Sequence, residues 1–227
     1  MALGHSPKVV TNGLVAYWDI GNIKTTTGFG VYWRDLSGNG LTMTTTGFPT
    51  WSTGNLGNYA FDGATQYATA ANSTLLDNQT FTIEVWAKTN ATTQNGFWFE
   101  KGNVNTQYAL FQEGALIKCR VNVGTLIDTI TPTTASFINT TDWFQVAFTF
   151  VTGSQVCYVN GNSIGTGTTT GTLATNAGGM SIGVYGGTGT HGYFYSGNIA
   201  SVKVYSRVLT PLEMKQNYNA LRGRFGL

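Results

Sequence analysis

The sequence predicts an all-β protein, a two-sheet antiparallel sandwich with one short helix at its C-terminal end. Three observations carry that expectation. Apolar and polar residues alternate in short runs, the period of a strand with one buried face. The runs are separated by Gly, Asn and Asp, which supply the backbone freedom that turns need, and 30 of the 227 residues are Gly. Charged residues make up only 10% of the chain, against 13% aromatic and 41% hydrophobic. Disordered chains are poor in aromatics and rich in net charge, and helical bundles need Ala, Glu, Lys and Leu at helical spacing, so both classes are excluded.

The strand-like runs follow one another along the whole chain: Leu14–Trp18, Tyr59–Phe61, Tyr67–Ala70, Thr80–Lys88, Phe97–Lys101, Tyr108–Gln112, Ile117–Val123 and Leu126–Ile130. They continue with Phe144–Val151, Gln155–Val159, Ser163–Thr168, Met180–Tyr185, Tyr193–Tyr195 and Ile199–Tyr205. About fourteen strands are too many for one sheet without splitting into two packed layers. In Phe81–Lys88 the residues Phe81, Ile83, Val85 and Ala87 share one face and point to the interior. Glu84 and Trp86 share the other. Asn160-Gly161 is a strong hairpin signal, because both residues tolerate positive φ. The helix is expected from Pro211 to about Arg222, with Thr210 as N-cap, Glu213 completing a capping box and Gly223 ending it. No linker or charge block divides the chain, so residues 11–227 read as one domain preceded by an extended arm, Met1–Val10, that contains Pro7.

Net charge is +2, too close to neutral to imply a polyanionic partner, so nucleic acid is not expected. No apolar run approaches the ~20 residues of a membrane span, and the first thirty residues lack the apolar core of a secretion signal. The expectation is synthesis in a cytoplasm without export. Cys119 and Cys157 each lie in an apolar run and read as buried reduced thiols; whether they pair is not legible in the sequence. The sequons at Asn72, Asn78, Asn90 and Asn139 are expected by chance in a chain so rich in Asn and Thr.

Little catalytic chemistry is on offer. His5 and His191 read as surface residues, and no Gly-x-Ser-x-Gly elbow or zinc-ligand spacing occurs. Glycoside hydrolysis needs two carboxylates. Glu84 stands alone on its strand, and Glu100, Glu113, Asp77 and Asp128 are scattered. Glu84 therefore reads as an acid balanced by a neighbouring Lys or Arg. No cofactor is expected. Calcium is the metal to consider, with Asn58 and Asp62 as its contributors, although Asp62 before Gly63 is more simply a turn residue. Platforms for sugar rings are easier to find: Trp18, Tyr32, Trp33, Trp51, Trp98, Tyr193 and Tyr195. Each of these reads equally as a core ring.

HSPKVVTNGLVAYWDIGN, VYWRDLSGNG, YAFDGATQYAT, FTIEVWAKT, WFQVAFTF, CYVNGNSIG and GNIASVKVYSRVLTPLEMKQNYNALRGRFG occur in that order. Their succession resembles the laminin G-like branch of the concanavalin A-like lectin/glucanase superfamily, from about His5 to Phe225. The resemblance implies a jelly roll of two curved sheets. The HSPK-type start and QNYNALRGRFG-type end resemble stand-alone copies of this domain in tailed bacteriophages. That implies a non-enzymatic virion surface protein (capsid decoration, fibre or tail-associated) in contact with other virion proteins such as the major capsid or tail proteins. A homo-oligomer or array fits the scarcity of charge. A glycan-binding lectin or adhesin is the alternative function, and a glycoside hydrolase the third. The catalytic acid cluster of glucanase relatives and the Asp-rich set of calcium-binding relatives are not matched.

Overall fold

The computed structural model describes residues 7–26, 31–102, 105–186 and 191–227. Within them the strands are β1 (Leu14–Asp19), β2 (Tyr32–Trp33), β3 (Met43–Thr46), β4 (Thr50–Ser52), β5 (Asn58–Asp62), β6 (Tyr67–Ala70), β7 (Phe81–Thr89) and β8 (Gly96–Lys101). There follow β9 (Tyr108–Glu113), β10 (Leu116–Asn122), β11 (Leu126–Ile130), β12 (Phe144–Val151), β13 (Ser154–Val159), β14 (Asn162–Gly167), β15 (Met180–Ile182) and β16 (Ser196–Tyr205). The helix α1 spans Pro211–Leu221.

The strands form two antiparallel sheets. The first has the order β14-β13-β12-β7-β16-β5-β4, with β1 also paired to β16. The second has the order β11-β10-β9-β8-β15-β6-β3-β2. Their inner faces meet over one apolar core that includes Trp18, Trp33, Trp98, Phe81, Tyr108, Phe148 and Tyr195. Phe81 of the first sheet stacks on Tyr108 of the second with ring centroids 4.0 Å apart. Cys119 and Cys157 are buried free thiols in this core; burial, then the neighbouring Cys157, pushes the Cys119 thiol well up.

The outer face of the first sheet is not open. The capping box forms as expected at Thr210 and Glu213. The helix does not end at Gly223; it tightens into a 3-10 turn over Arg222–Phe225 and stops at Gly226, where φ is +75°. This lays Phe225 and Tyr218 against Trp86, at 4.4 and 5.7 Å between ring centroids. Glu84 and Trp86 share the outer face of β7, as the alternation predicts, yet both are fully buried beneath the helix. The alternation was right, but a covered sheet has no wet side.

Residues 7–10 of the N-terminal arm belong to the same cover. The Val10 amide donates to Asn217 Oδ1 at 2.7 Å, the Tyr205 hydroxyl donates to the Val10 carbonyl at 3.0 Å, and Gln216 Nε2 donates to the Lys8 carbonyl. Met1–Ser6 lie outside the described residues.

Three strands escape sequence periodicity: β2 is two residues long, β3 is MTTT and β4 is TWS. Conversely, Tyr193–Tyr195 is not a strand, and β15 stops at Ile182 because Gly183, at φ +84°, turns the chain away.

Candidate functional site

On the outer face of the second sheet the centre is buried, at Glu100, Ala109 and Ser181, and the β3–β2 end, at Thr44 and Tyr32, is exposed. Cross-strand register puts one row of side chains across all eight strands. Asp128 (β11) faces Arg120 (β10), which faces Ala109 (β9), which faces Glu100 (β8). Glu100 faces Ser181 (β15), then come Thr69 (β6), Thr44 (β3) and Tyr32 (β2). Directly paired residues project to the same side of a sheet.

The row changes character along its length. At one end Asp128 accepts from Arg120 Nε (2.6 Å) and Arg120 Nη2 (3.1 Å), and from Lys118 Nζ (2.8 Å). Burial by itself would raise the Asp128 carboxyl; the Arg120 and Lys118 charges outweigh it and hold the group below the usual carboxylate range. Lys118 also lies 3.4 Å from Glu113, so two cations meet two acids here. Beside them Phe97 and Phe111 stack at 4.1 Å, with the Arg120 guanidinium 4.6 Å from the Phe111 ring.

At the centre Glu100 is fully buried. Its carboxylate accepts from the Thr106 hydroxyl (2.6 Å), the Gly186 amide (2.6 Å) and the Ser181 hydroxyl (3.4 Å). The Gly186 contact belongs to residues 183–186, which follow β15, and residues 191–195 pack beside them. Tyr185 and Gly192 exchange two backbone hydrogen bonds, and the Phe97 amide donates to the Tyr193 carbonyl. Tyr193 comes to rest 49% exposed, with φ +50°, a conformation costly for a bulky residue. It stands over Tyr185 and Phe97 at 6.0 and 6.2 Å. On the other side of the segment, Tyr67 of β6 meets His191 at 4.3 Å and Phe194 at 6.1 Å. Beyond them lie the hydroxyls of Thr69, Thr44 and Thr46 and, at the far edge, Tyr32, 56% exposed.

Of the aromatic platforms expected from sequence, this face therefore contains Tyr193 and Tyr32. Trp18, Trp33, Trp98 and Tyr195 are corrected: all four are fully buried core rings and offer no face to a ligand. Trp51 lies elsewhere, half-buried in a groove of about 470 Å³ at the edge of the first sheet, among Ile20, Ile23, Thr26, Thr53 and Leu56. Sequence reading missed Glu100, Ser181, Thr69 and Arg120 as a group. Each was visible on its own strand, but the register that aligns them is a tertiary property, and a bulge between Phe97 and Phe99 shifts it further.

The suggested calcium contributors do not converge. Asn58 Oδ1 accepts from Asn198 Nδ2, and its Nδ2 donates to the Gly54 carbonyl. Asp62 accepts from the amides of Ala64, Thr65 and Gln66 and from the Thr65 hydroxyl, which closes its own turn. Its slight burial acts to raise the carboxyl, and those four bonds prevail and hold it at about 2. Glu84, the lone catalytic candidate, is bound to Lys203 Nζ at 2.6 Å, as the balanced-acid reading expected.

A laminin G-like family, described as the concanavalin A-like lectin/glucanases superfamily, matches residues 62–215. The chain belongs to that superfamily. No curated protein matches it. Among solved structures it resembles domain 4 of AbnA, an extracellular GH43 arabinanase of Geobacillus stearothermophilus solved with arabinotriose. Identity is 18%, the TM-score 0.69, and the match covers 90% of this chain and 98% of that one. It also resembles the binding domain of botulinum neurotoxin DC solved with rat synaptotagmin II (14% identity, TM-score 0.74). A botulinum neurotoxin type C structure, whose description names two ganglioside molecules, matches at 13% and 0.73. In both toxin matches 93% of this chain is covered but only 52% of the other, so it spans about half their length. At these identities the likeness is one of fold.

Proposed function

We propose that this chain is a non-catalytic glycan-binding module whose ligand lies on the outer face of the second sheet, across Tyr193, Tyr67 and the Thr69–Thr44 hydroxyls toward Tyr32. The observation that carries the reading is Tyr193, held half-exposed in a strained backbone conformation over the Phe97 and Tyr185 rings. An exposed flat ring on a face that also carries threonine hydroxyls suits a sugar, which needs stacking for its C–H face and hydrogen bonds for its hydroxyls. The arabinotriose and ganglioside named for two of the similar structures support a carbohydrate. The cations beside the face, Lys118 and Arg120, are already matched by Asp128 and Glu113, which favours neutral sugars over acidic ones.

Spacing supports the absence of hydrolysis. Glu100 and Asp128 stand three strand spacings apart in the row, about 14 Å. Retaining glycosidases need ~5–5.5 Å between carboxyls and inverting ones ~6.5–9.5 Å.

The groove at Trp51 is the competing location. Its lining is mostly aliphatic, with Ile23 and Leu56 exposed and few hydroxyls, so it is the poorer match to a sugar. A glycan array probed with the wild-type chain, Tyr193→Ala and Trp51→Ala tests the choice. The expected result is binding of neutral oligosaccharides, reduced tenfold or more in Tyr193→Ala and unchanged in Trp51→Ala. Silence across host-surface polysaccharides overturns the function, and loss only in Trp51→Ala moves the site.

The biological setting we propose is the surface of a bacteriophage particle, with synthesis in the host cytoplasm and other virion proteins as neighbours in an oligomer or array. It rests on the terminal segments quoted above and on a surface poor in charge. Electron microscopy of intact particles checks it, and single, mutually non-touching copies would sink the array.

A further inference from the structure

Lys101 ends β8 and its side chain has no solvent access. Four oxygens surround its ammonium. Asn72 Oδ1 lies at 2.9 Å, the Gly178 carbonyl at 3.0 Å, Asp77 Oδ1 at 3.2 Å and the Asn176 carbonyl at 3.3 Å. They come from two separate connections, β6–β7 (Asn72, Asp77) and β14–β15 (Asn176, Gly178), so the ammonium joins one rim of the sandwich. An ammonium has three N–H donors, and four acceptors exceed them. Asp77 Oδ1 is near enough to pair with the ammonium by charge.

One carboxylate, one amide oxygen and two backbone carbonyls from a single loop are hard oxygen donors with no soft ligand among them, four of the ~6–8 that calcium takes, so water would have to supply the rest. The calcium considered from sequence does not fit here, because the lysine already fills the space. We propose that the Lys101 ammonium is a built-in cation, standing where this oxygen cage would otherwise take a divalent ion, so that the rim assembles without metal and truncating the side chain uncovers a calcium site. Burial pulls the Lys101 ammonium below the ordinary lysine value, while Asp77 pulls the other way. A resident metal ion in the same cage would have no such desolvated proton to lose.

The probe is calcium chloride against EGTA, read by thermal unfolding of the full chain. Wild type should melt at the same temperature in both. Lys101→Ala should melt about 10 °C lower in EGTA, since an unpaired Asp77 is left facing a cavity, and should regain several degrees in millimolar calcium. Lys101→Met, whose stem still plugs the cage, should be weakened without regaining anything. Asp77→Asn added to Lys101→Ala should abolish the recovery. The proposal is overturned if calcium fails to raise Lys101→Ala, if wild type itself gains from calcium, or if Lys101→Met recovers equally. Should Lys101→Ala fold only with calcium, the proposal stands; should it fold in neither while Lys101→Met folds, it falls.

Discussion

Glu84 and Lys203 form an ion pair without solvent access, Nζ to Oε1 at 2.6 Å, directly opposite each other on β7 and β16 beneath α1. The other Glu84 oxygen accepts from Asn217 Nδ2 at 2.8 Å, and Asn217 in turn holds Val10 and Tyr205. One strand carboxylate thus fastens the helix, the N-terminal arm and two strands together.

Removing one partner leaves a buried charge. Lys203→Met should therefore cost about 3–5 kcal/mol in urea unfolding. Glu84→Leu combined with Lys203→Met should cost clearly less than the sum of the single changes, because no charge is stranded. Additive losses in that cycle would contradict the coupling.

Trp86 is roofed by Tyr218 and Phe225, so the last turn of the chain does the work of a core residue. Trp86→Ala should destabilise by about 3–5 kcal/mol. Phe225→Ala should wet the Trp86 ring, seen as a red shift in tryptophan emission.

The helix N-cap titrates in acid. The Glu213 carboxylate is held at about 2, first by hydrogen bonds from Arg207 and then, against its slight burial, by Thr210. Its folded pKa lies below the ordinary ~4.3 of Glu, so its stabilisation is complete above that value and lost as pH falls through about 2. The melting temperatures of wild type and Glu213→Gln should differ at pH 6 and converge between pH 4 and 2.

Glu100 anchors the segment that presents Tyr193. Glu100→Ala leaves the Thr106 hydroxyl and Gly186 amide without their acceptor, at about 1–3 kcal/mol for each buried group. Hydrogen exchange at Gly186 should quicken, and glycan binding should fall although Glu100 is too deep to touch a ligand.

We propose that the N-terminal arm, Met1–Val10, docks the chain onto the particle; Lys8 and Val10 are tied to the fold, and Met1–Ser6 lie outside the described residues. Deleting residues 1–6 keeps the Lys8 and Val10 bonds, so the melting temperature should hold while incorporation into particles falls. Full incorporation would argue against an arm on the particle.

The sequence by itself determined the class, the two layers and most strands, because alternation and turn residues are local properties of the chain. Phe81–Thr89, Phe144–Val151 and Pro211–Leu221 were legible for that reason, the last through Thr210, Pro211 and Glu213. It also exposed Glu84 as an acid in want of a cation. The tertiary structure decided which face stays open. Glu84 and Trp86 looked outward until α1 and the Arg222–Phe225 turn covered them, and four of seven predicted sugar platforms proved to be core. It also decided which residues stand together: Asp128, Arg120, Glu100 and Thr69 align only through strand register, and the Lys101 cage only through two distant connections. The physical reason is that a strand fixes to which side a residue points. What lies on that side is set by sheet pairing and by whatever element packs above it, and neither is encoded within the strand.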